Sequence, residues 1–393
     1  METIRLFDRD AYATEFTARV TEICPIEETP GDYAIVLEET LFFPEEGGQS
    51  PDTGRLAGGD VLDVQIKNGI ITHRVHFDGA APAVGNTVQG TIDWAHRYSN
   101  MQNHSGEHIF SGIVHRLFGF DNVGFHLSDN TVTMDYSGVL TEEDIHKVER
   151  LANEAIYQNI EIRCEYPDEA TLAALDYRSK KELSGAVRIV TIPGVDVCAC
   201  CAPHVHRTGE IGMLKVIGSQ KYKGGVRLQI LCGYRALEGY GETLRQLTAI
   251  SQQLSAAVEQ IPDYIDRMKE ENRRLSSALR AMHVLKMTQE MEAIPSEQKH
   301  VFLFADAIDS NLMRRTVNEL MKTHGGYCGV FVCTAVDNFA YIIGSKELDC
   351  REVGTALREH FDAKGGGKPE MIQGSVSGAD AEKLLDFLQE RYR

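Results

Sequence analysis

Apolar and polar positions alternate along the first part of the chain. "YAIVLEETLFF" reads as a strand, and "VLDVQIKNGIITHRVHF" reads as a hairpin turning at Asn68-Gly69. Glycine turns are frequent there and helical periodicity is weak, which predicts a small barrel or curled sheet over residues 1–92. From Trp94 the period changes. Met101, His104, His108, Ile109, Leu117 and Phe118 recur near helical spacing, and Gly119 is placed to end that helix. "HLSDNTVTMDY" returns to strand. Thr141 opens a second helix, with Asp144 at the capping-box position and Ile145, Val148, Leu151, Ala152 and Ile156 on one face. "AVRIVTI" and "GMLKVIG" are strands flanking a cysteine cluster, so residues 93–235 form an α+β segment.

Residues 236–298 follow a different rule. Leu244, Leu247, Leu254, Val258, Ile261, Ile265, Met268, Leu275, Leu279 and Met282 keep 3-4 spacing, interrupted only by Ser251 and Asn272. That pattern predicts a coiled-coil or helical-hairpin seam that packs within a chain or between chains. Pro262 is placed to start the second helix, since proline is tolerated in a first turn and not inside. Residues 299–393 read as a small α/β domain: strands "HVFLFADAI", "YCGVFVCTA" and "FAYIIGS", helices "SNLMRRTVNELMKTHG" and "ADAEKLLDFLQERY". "GGGKPEMIQG" reads as a glycine-rich loop. It has neither the Lys-Ser/Thr ending of a P-loop nor the G-x-G-x-x-G spacing, so a tight structural turn accounts for it as well as a phosphate site does. The fold class is α+β: a β-barrel-like N-terminal domain, an α+β zinc-containing domain, a long helical linker and a small C-terminal α/β domain.

Composition narrows the function. The chain has 393 residues and a formal charge of −18, which argues against indiscriminate nucleic-acid binding but leaves room for a local basic face. Lys215, Lys221, Lys223 and Arg227 lie together on one predicted hairpin, and Arg178, Lys180 and Lys181 form a second basic run. No apolar run is long enough to span a bilayer, and the charged N-terminus has no secretory pattern. The expectation is a cytoplasmic protein with no membrane partner. Nine cysteines without a disulfide-rich pattern favour metal binding over bridges, and the one cluster is "CACC", Cys198–Cys201.

"NHSGEH" places His104 and His108 four apart, on one face of a helix. "CCAPHVH" supplies Cys200 and His204, again four apart, with Cys198, Cys201 and His206 as alternative donors. Two imidazoles plus a thiolate–imidazole pair make the borderline-soft set that zinc prefers. The ion would be structural if all four positions are filled, and functional if one ligand is displaced or replaced. His104 to His108 also matches H-x-x-E-H, the inverted zinc-peptidase motif, in which Glu107 would be a general base.

Three stretches together resemble the alanyl-tRNA editing family, the editing domain of alanyl-tRNA synthetases and its free-standing relatives. They are "ETLFFPEEGGQSPDTG", "DWAHRYSNMQNHSGEHIFSGI" and "VRIVTIPGVDVCACCAPHVHRTGEIGMLKV". The helical pair and the glycine-rich tail are similar to the C-terminal region of the same synthetases. The resemblance implies that His104, His108, Cys200 and His204 bind Zn2+, that Thr40 senses a serine hydroxyl, and that Gly47, Gly48 and Gln49 border the pocket. It implies hydrolysis of the ester of tRNA(Ala) mischarged with serine or glycine, with Thr40, Gln49 and Glu107 as the catalytic candidates. The chain opens directly on the editing-type β region, so the expectation is a protein that deacylates in trans and cannot charge tRNA. A homodimer through the helical linker and C-terminal domain is a further expectation.

One motif departs from the family. The usual Cys-Gly-Gly-Thr-His is here Cys200-Cys201-Ala202-Pro203-His204. Ligand types survive, but two glycines have gained a Cβ and a threonine has lost its hydroxyl and N–H, so the pocket wall is changed. Two other readings compete: a non-catalytic RNA-binding protein with a structural zinc, and a zinc peptidase working through Glu107.

Overall fold

The computed structural model describes residues 2–129, 131–179, 186–305 and 307–392. By its internal contacts the chain divides into two compact units, Met1–Thr248 and Ala249–Arg393. Among the described residues no helix is long and apolar enough to cross a membrane.

The first unit begins with a closed antiparallel barrel. Its strands are β1 (Glu15–Pro25), β2 (Asp32–Leu37), β3 (Gly54–Leu56), β4 (Gly59–Lys67), β5 (Ile70–His76) and β6 (Thr87–Ile92), in the order β1-β2-β5-β4-β3-β6. Period-2 alternation points Phe16, Ala18 and Val20 of β1 inward and Glu15, Thr17 and Arg19 outward. The β4–β5 hairpin turns on Asn68 and Gly69, both at positive φ. Leu41, Phe42 and Phe43, just after Thr40, bury themselves in the same core.

Helix α1 (Trp94–Phe118) follows. Asp93 caps it by accepting from the His96 N–H at 3.1 Å, and Gly119 ends it in the left-handed conformation. From Asn100 to Val114 every residue of α1 is buried. What surrounds it explains this. A sheet in the order β12 (Leu214–Tyr222), β13 (Gly225–Cys232), β8 (Val132–Tyr136), β7 (Asn122–Leu127) shares one core with α1 and with α2 (Glu142–Tyr157). A smaller sheet of β9 (Arg163–Glu165), β10 (Ile189–Ile192) and β11 (Asp196–Ala199) adds to it. Helix α2 opens on the capping box of Thr141 and Asp144.

Helix α3 (Gly233–Leu254) leaves this core, and α4 (Ile261–Glu292) carries proline in its first turn. The apolar seam read from the sequence is solvent-facing on both: Leu244 on α3, and Met268, Leu275, Leu279 and Met282 on α4, are all more than half exposed.

The second unit has a five-stranded sheet in the order β14 (Val301–Ala305), β15 (Cys328–Ala335), β16 (Asn338–Gly344), β18 (Met371–Ser377), β17 (Asp362–Lys368). Its helices are α5 (Ser310–Thr323), α6 (Arg351–His360) and α7 (Ala381–Arg391). The glycine-rich segment corrects the sequence reading. Gly365, Gly366 and Gly367 are not loop but the edge strand β17, paired residue by residue with β18. Close approach of the two strands is the reason glycine is needed: a Cβ on Gly365 would stand 2.4 Å from the Gln373 carbonyl and one on Gly374 2.1 Å from the Lys364 carbonyl, with the Tyr341 hydroxyl 2.7 Å and 2.6 Å away. Helix α6 goes unread in the sequence although Val353, Ala356 and Leu357 give it a buried apolar face at helical spacing.

The barrel and α1 are joined by a buried ion pair. Arg97 and Asp52 are both fully buried; Arg97 Nε donates to Asp52 Oδ1 at 2.9 Å, and Nη2 bonds Oδ2. Arg97 also donates to the Leu41 carbonyl at 2.6 Å and the Ala11 carbonyl at 3.0 Å. Arg97→Met strands the Asp52 carboxylate without its countercharge. The expected loss is about 3–5 kcal/mol in urea unfolding; a loss below about 1 kcal/mol, the worth of an exposed pair, contradicts this account.

Candidate metal centre

The described residues bring His104, His108, Cys200 and His204 together, with one donor atom of each inside a group spanning 4.8 Å. Helix α1 supplies the first two, one turn apart. The loop after β11 supplies the others. Cys200 Sγ lies 3.5 Å from His104 Nε2 and 3.4 Å from His204 Nε2. With metal–nitrogen bonds of about 2.0 Å and metal–sulfur bonds of about 2.3 Å at tetrahedral angles, such ligands stand about 3.5 Å apart. The donor set therefore fits a tetrahedral ion bound by three nitrogens and one sulfur.

The back of each imidazole is occupied. His104 Nδ1–H donates to Gln49 Oε1 at 2.7 Å, and His108 Nδ1–H donates to Asp196 Oδ2 at 3.0 Å. His204 Nδ1 meets Ser105 Oγ at 3.0 Å. With the proton on Nδ1, all three rings present Nε2 as the donor. Burial holds the His204 imidazole neutral, down to about 3. Burial alone would push the Cys200 thiol up, but His104, His204 and His108 around it hold it well below the usual range. Cys201 goes the other way: burial pushes it up, and the neighbouring Cys200 adds to that. Of the vicinal pair, Cys200 is the thiolate.

The loop keeps its shape without the family glycines. Arg188, itself nearly buried, donates from Nη1 to the Cys200 carbonyl at 3.1 Å and the Ala202 carbonyl at 2.8 Å. The Cys200 N–H returns a bond to the Arg188 carbonyl at 3.0 Å. Neither Cys201 nor Ala202 takes a positive φ. Gly48 does need its freedom: at φ +85°, any Cβ would stand 2.3 Å from the Phe125 carbonyl.

His104, His108 and Cys200 line a cavity of about 520 Å³ together with Gly47, Gly48, Phe125, Arg5 and Arg188, and His204 lies outside that lining. Glu107 is buried. Its Oε1 accepts from Ser111 Oγ at 2.7 Å and Asn122 Nδ2 at 2.5 Å, while Oε2 lies 3.9 Å from His108 Nε2. Thr40 is fully buried and does not line the cavity. Its Oγ1 bonds His73 Nε2 at 2.9 Å and accepts from the Phe42 N–H at 3.1 Å. The basic runs divide. Lys215 pairs with Glu149, Arg227 pairs with Asp135, and Arg178 turns inward to Asp196, while Lys180 and Lys181 lie outside the described residues.

Residues 187–229 match the model of the threonyl and alanyl tRNA synthetase second additional domain, and residues 11–96 match that of class II (A) tRNA synthetases. Alanyl-tRNA editing protein AlaX-L of Pyrococcus horikoshii is 27% identical, over 99% of this chain and 98% of its own. Alanyl-tRNA editing protein Aarsd1 of Rattus norvegicus is 26% identical, over 98% of this chain and 97% of its own. The chain belongs to the alanyl-tRNA editing family. It also matches the alanine–tRNA ligase of Ignicoccus hospitalis at 29% identity over 99% of this chain, and spans about 42% of that ligase.

The two matched stretches hold Thr40, Gln49, Cys200 and His204, and neither holds His104 or His108. Sequence reasoning missed Asp196, Ser105 and Arg178. Asp196 left a signal: in "DVCAC" it alternates with Cys198 and Cys200 and so shares their face of the strand. Arg178 left none, because only the folded chain brings it to Asp196. Cys200→Ser should remove stoichiometric zinc from the purified protein, and Cys201→Ser should retain it, as read by metal analysis. Equal metal content in the two variants contradicts the assignment of the thiolate.

Proposed function

We propose that this protein hydrolyses the aminoacyl ester of tRNA(Ala) mischarged with serine or glycine, using zinc held by His104, His108, Cys200 and His204. The observation that carries this reading is the convergence of those four donors, three of which, His104, His108 and Cys200, line a cavity beside the Gly47–Gly48 loop. Zinc bound there supplies a Lewis acid for the ester carbonyl or a water.

The chain's own groups do the rest. Glu107, buried with Oε2 3.9 Å from His108 Nε2, is the candidate general base for an attacking water. Gln49 spends Oε1 on His104, and its buried Nε2 has no partner among the described residues, leaving a donor for an oxygen that gains charge. Arg5, on the cavity wall and partly exposed beside Glu46, suits a phosphate of an acceptor end.

Thr40 has its orientation dictated. His73 donates from Nδ1 to the Ile35 carbonyl at 3.0 Å, and burial keeps it neutral, down to about 4. His73 Nε2 must then accept, so the Thr40 hydroxyl donates to it. Thr40 is buried outside the cavity lining, so it acts on a substrate only where the wall opens to it; there it can only accept, and a seryl hydroxyl can donate where alanine has nothing to give. The nine cysteines are all free, in keeping with the reducing cytoplasm. The exposed stripe on α4 has Ile265, Asn272 and Leu279 at one heptad position and Met268, Leu275 and Met282 at the other, the pattern of a seam shared with a second copy.

Incubation with seryl-, glycyl- and alanyl-tRNA(Ala), with and without chelator, tests the activity. Chelator-sensitive release of serine or glycine is expected; tight RNA binding without turnover, or proteolysis that depends on Glu107, contradicts it. Thr40→Val should narrow the seryl-to-alanyl ratio by about 5- to 150-fold, the worth of about 1–3 kcal/mol for one buried hydrogen bond. An unchanged ratio removes Thr40 from discrimination. Leu275→Glu with Leu279→Glu should sediment as a monomer where the unaltered protein sediments as a dimer; a monomer in both cases sinks the shared seam.

A further inference from the structure

We propose that Asp196 and Arg178 are a positioning pair that fixes the ion through His108, and that they are not part of a second metal site. The proposal rests on the metal reading above. His108, Asp196 and Cys198 form another compact group of donor atoms, all within 4.8 Å and all buried. Taken alone, that group resembles a second site. Its carboxylate, however, is already committed. Asp196 Oδ1 accepts from Arg178 Nε at 2.8 Å, and Oδ2 accepts from Arg178 Nη2 at 2.8 Å and from His108 Nδ1 at 3.0 Å. A cation placed there would have to break a bidentate pair and then share the space with the guanidinium charge. His108 has turned Nδ1 to the acid, so its one remaining donor is the Nε2 that joins His104, Cys200 and His204.

Arg178 is held as firmly as it holds. Its N–H donates to the Val197 carbonyl and its carbonyl accepts from the Ala199 N–H, both at 2.9 Å, in a parallel bridge to Cys198. Side chain and backbone thus grip the strand that delivers Cys200. On the other side, Gly112 lets β11 come close: a Cβ there would stand 2.6 Å from Asp196 Cβ and from the Val195 carbonyl. The Arg178–Asp196–His108 line is built into the packing of α1 against β11.

The three imidazoles are not equivalent. His104 is backed by an amide, His204 by a hydroxyl, and His108 alone by a carboxylate. A carboxylate drawing on the Nδ1 proton makes Nε2 a stronger donor to a cation. Arg178 keeps that carboxylate turned to the imidazole and not to the ion. Asp196 and Arg178 therefore govern how tightly the ion is kept, without touching it or the substrate.

The test uses full-length protein, stripped of metal and titrated with Co2+ against a competing chelator. Thermal unfolding of each metal-free sample is measured alongside. The variants are Asp196→Asn, which keeps an acceptor and removes the charge, Arg178→Lys, which removes the bidentate grip, and Val148→Ala, a core truncation on α2 as a control for stability. Asp196→Asn is expected to weaken Co2+ binding about 10- to 100-fold and to shift the visible Co2+ band, with Arg178→Lys between it and the unaltered protein. Val148→Ala is expected to lose thermal stability with affinity and band unchanged. Affinity and band unchanged in Asp196→Asn overturn the proposal. So does a Val148→Ala loss of affinity that matches that of Asp196→Asn. Failure of the unaltered protein to form a cobalt–thiolate absorption instead overturns the metal reading on which the pair depends.

Discussion

The buried Arg97–Asp52 pair is the constraint on which the first unit depends. An ion pair with no solvent access is stable only when both partners are fully hydrogen-bonded, and here they are. Asp52 also accepts from the Phe43 N–H at 2.6 Å, and Arg97 also reaches the carbonyls of Leu41 and Ala11. The segment from Thr40 to Asp52 is thereby fixed along α1. Two turns on from Arg97 comes His104, and three residues before Asp52 comes Gln49, which bonds it. The structural pair and the site contact are two rungs of one ladder, so the barrel motif and the imidazoles cannot shift independently.

Much of this is legible where the signal is local. Asn68-Gly69, Gly119, Thr141 and Pro262 each mark a turn or a helix end through their own chemistry, and each does so in the structure. The i, i+4 spacing of His104 and His108 places both on one face. The glycine-rich tail misleads because glycine signals a loop when its partner is unknown; it is strand because it pairs along its length with Met371–Ser377. Asp196 and Arg178 escape for a related cause, since their meaning is set by a contact between elements. Within the second unit, the stripe on α4 is apolar as its spacing says, but periodicity cannot say what covers it.

Burial decides the charges at the centre. Desolvation pushes the His204 imidazole towards its neutral form, while the imidazoles around Cys200 pull its thiol down against the same desolvation. Cys201, with a glycine at its back and a thiolate as neighbour, stays protonated. Two adjacent residues of one kind thus differ in chemistry through surroundings alone. The loop carries side chains at Cys201 and Ala202 without a positive φ, and Arg188 anchors its carbonyls.

The spacing of the donors also matters for biosynthesis. His104 and Cys200 are separated by 96 positions. A nascent chain exposes the pair of imidazoles well before the thiolate emerges from the ribosome, and a two-nitrogen chelate grips a soft cation weakly. Only after His204 has cleared the exit tunnel and β11 has docked on α1 is the coordination sphere complete. Were this site to hold an ion, metallation would be a late event, a check that the whole intervening polypeptide has folded.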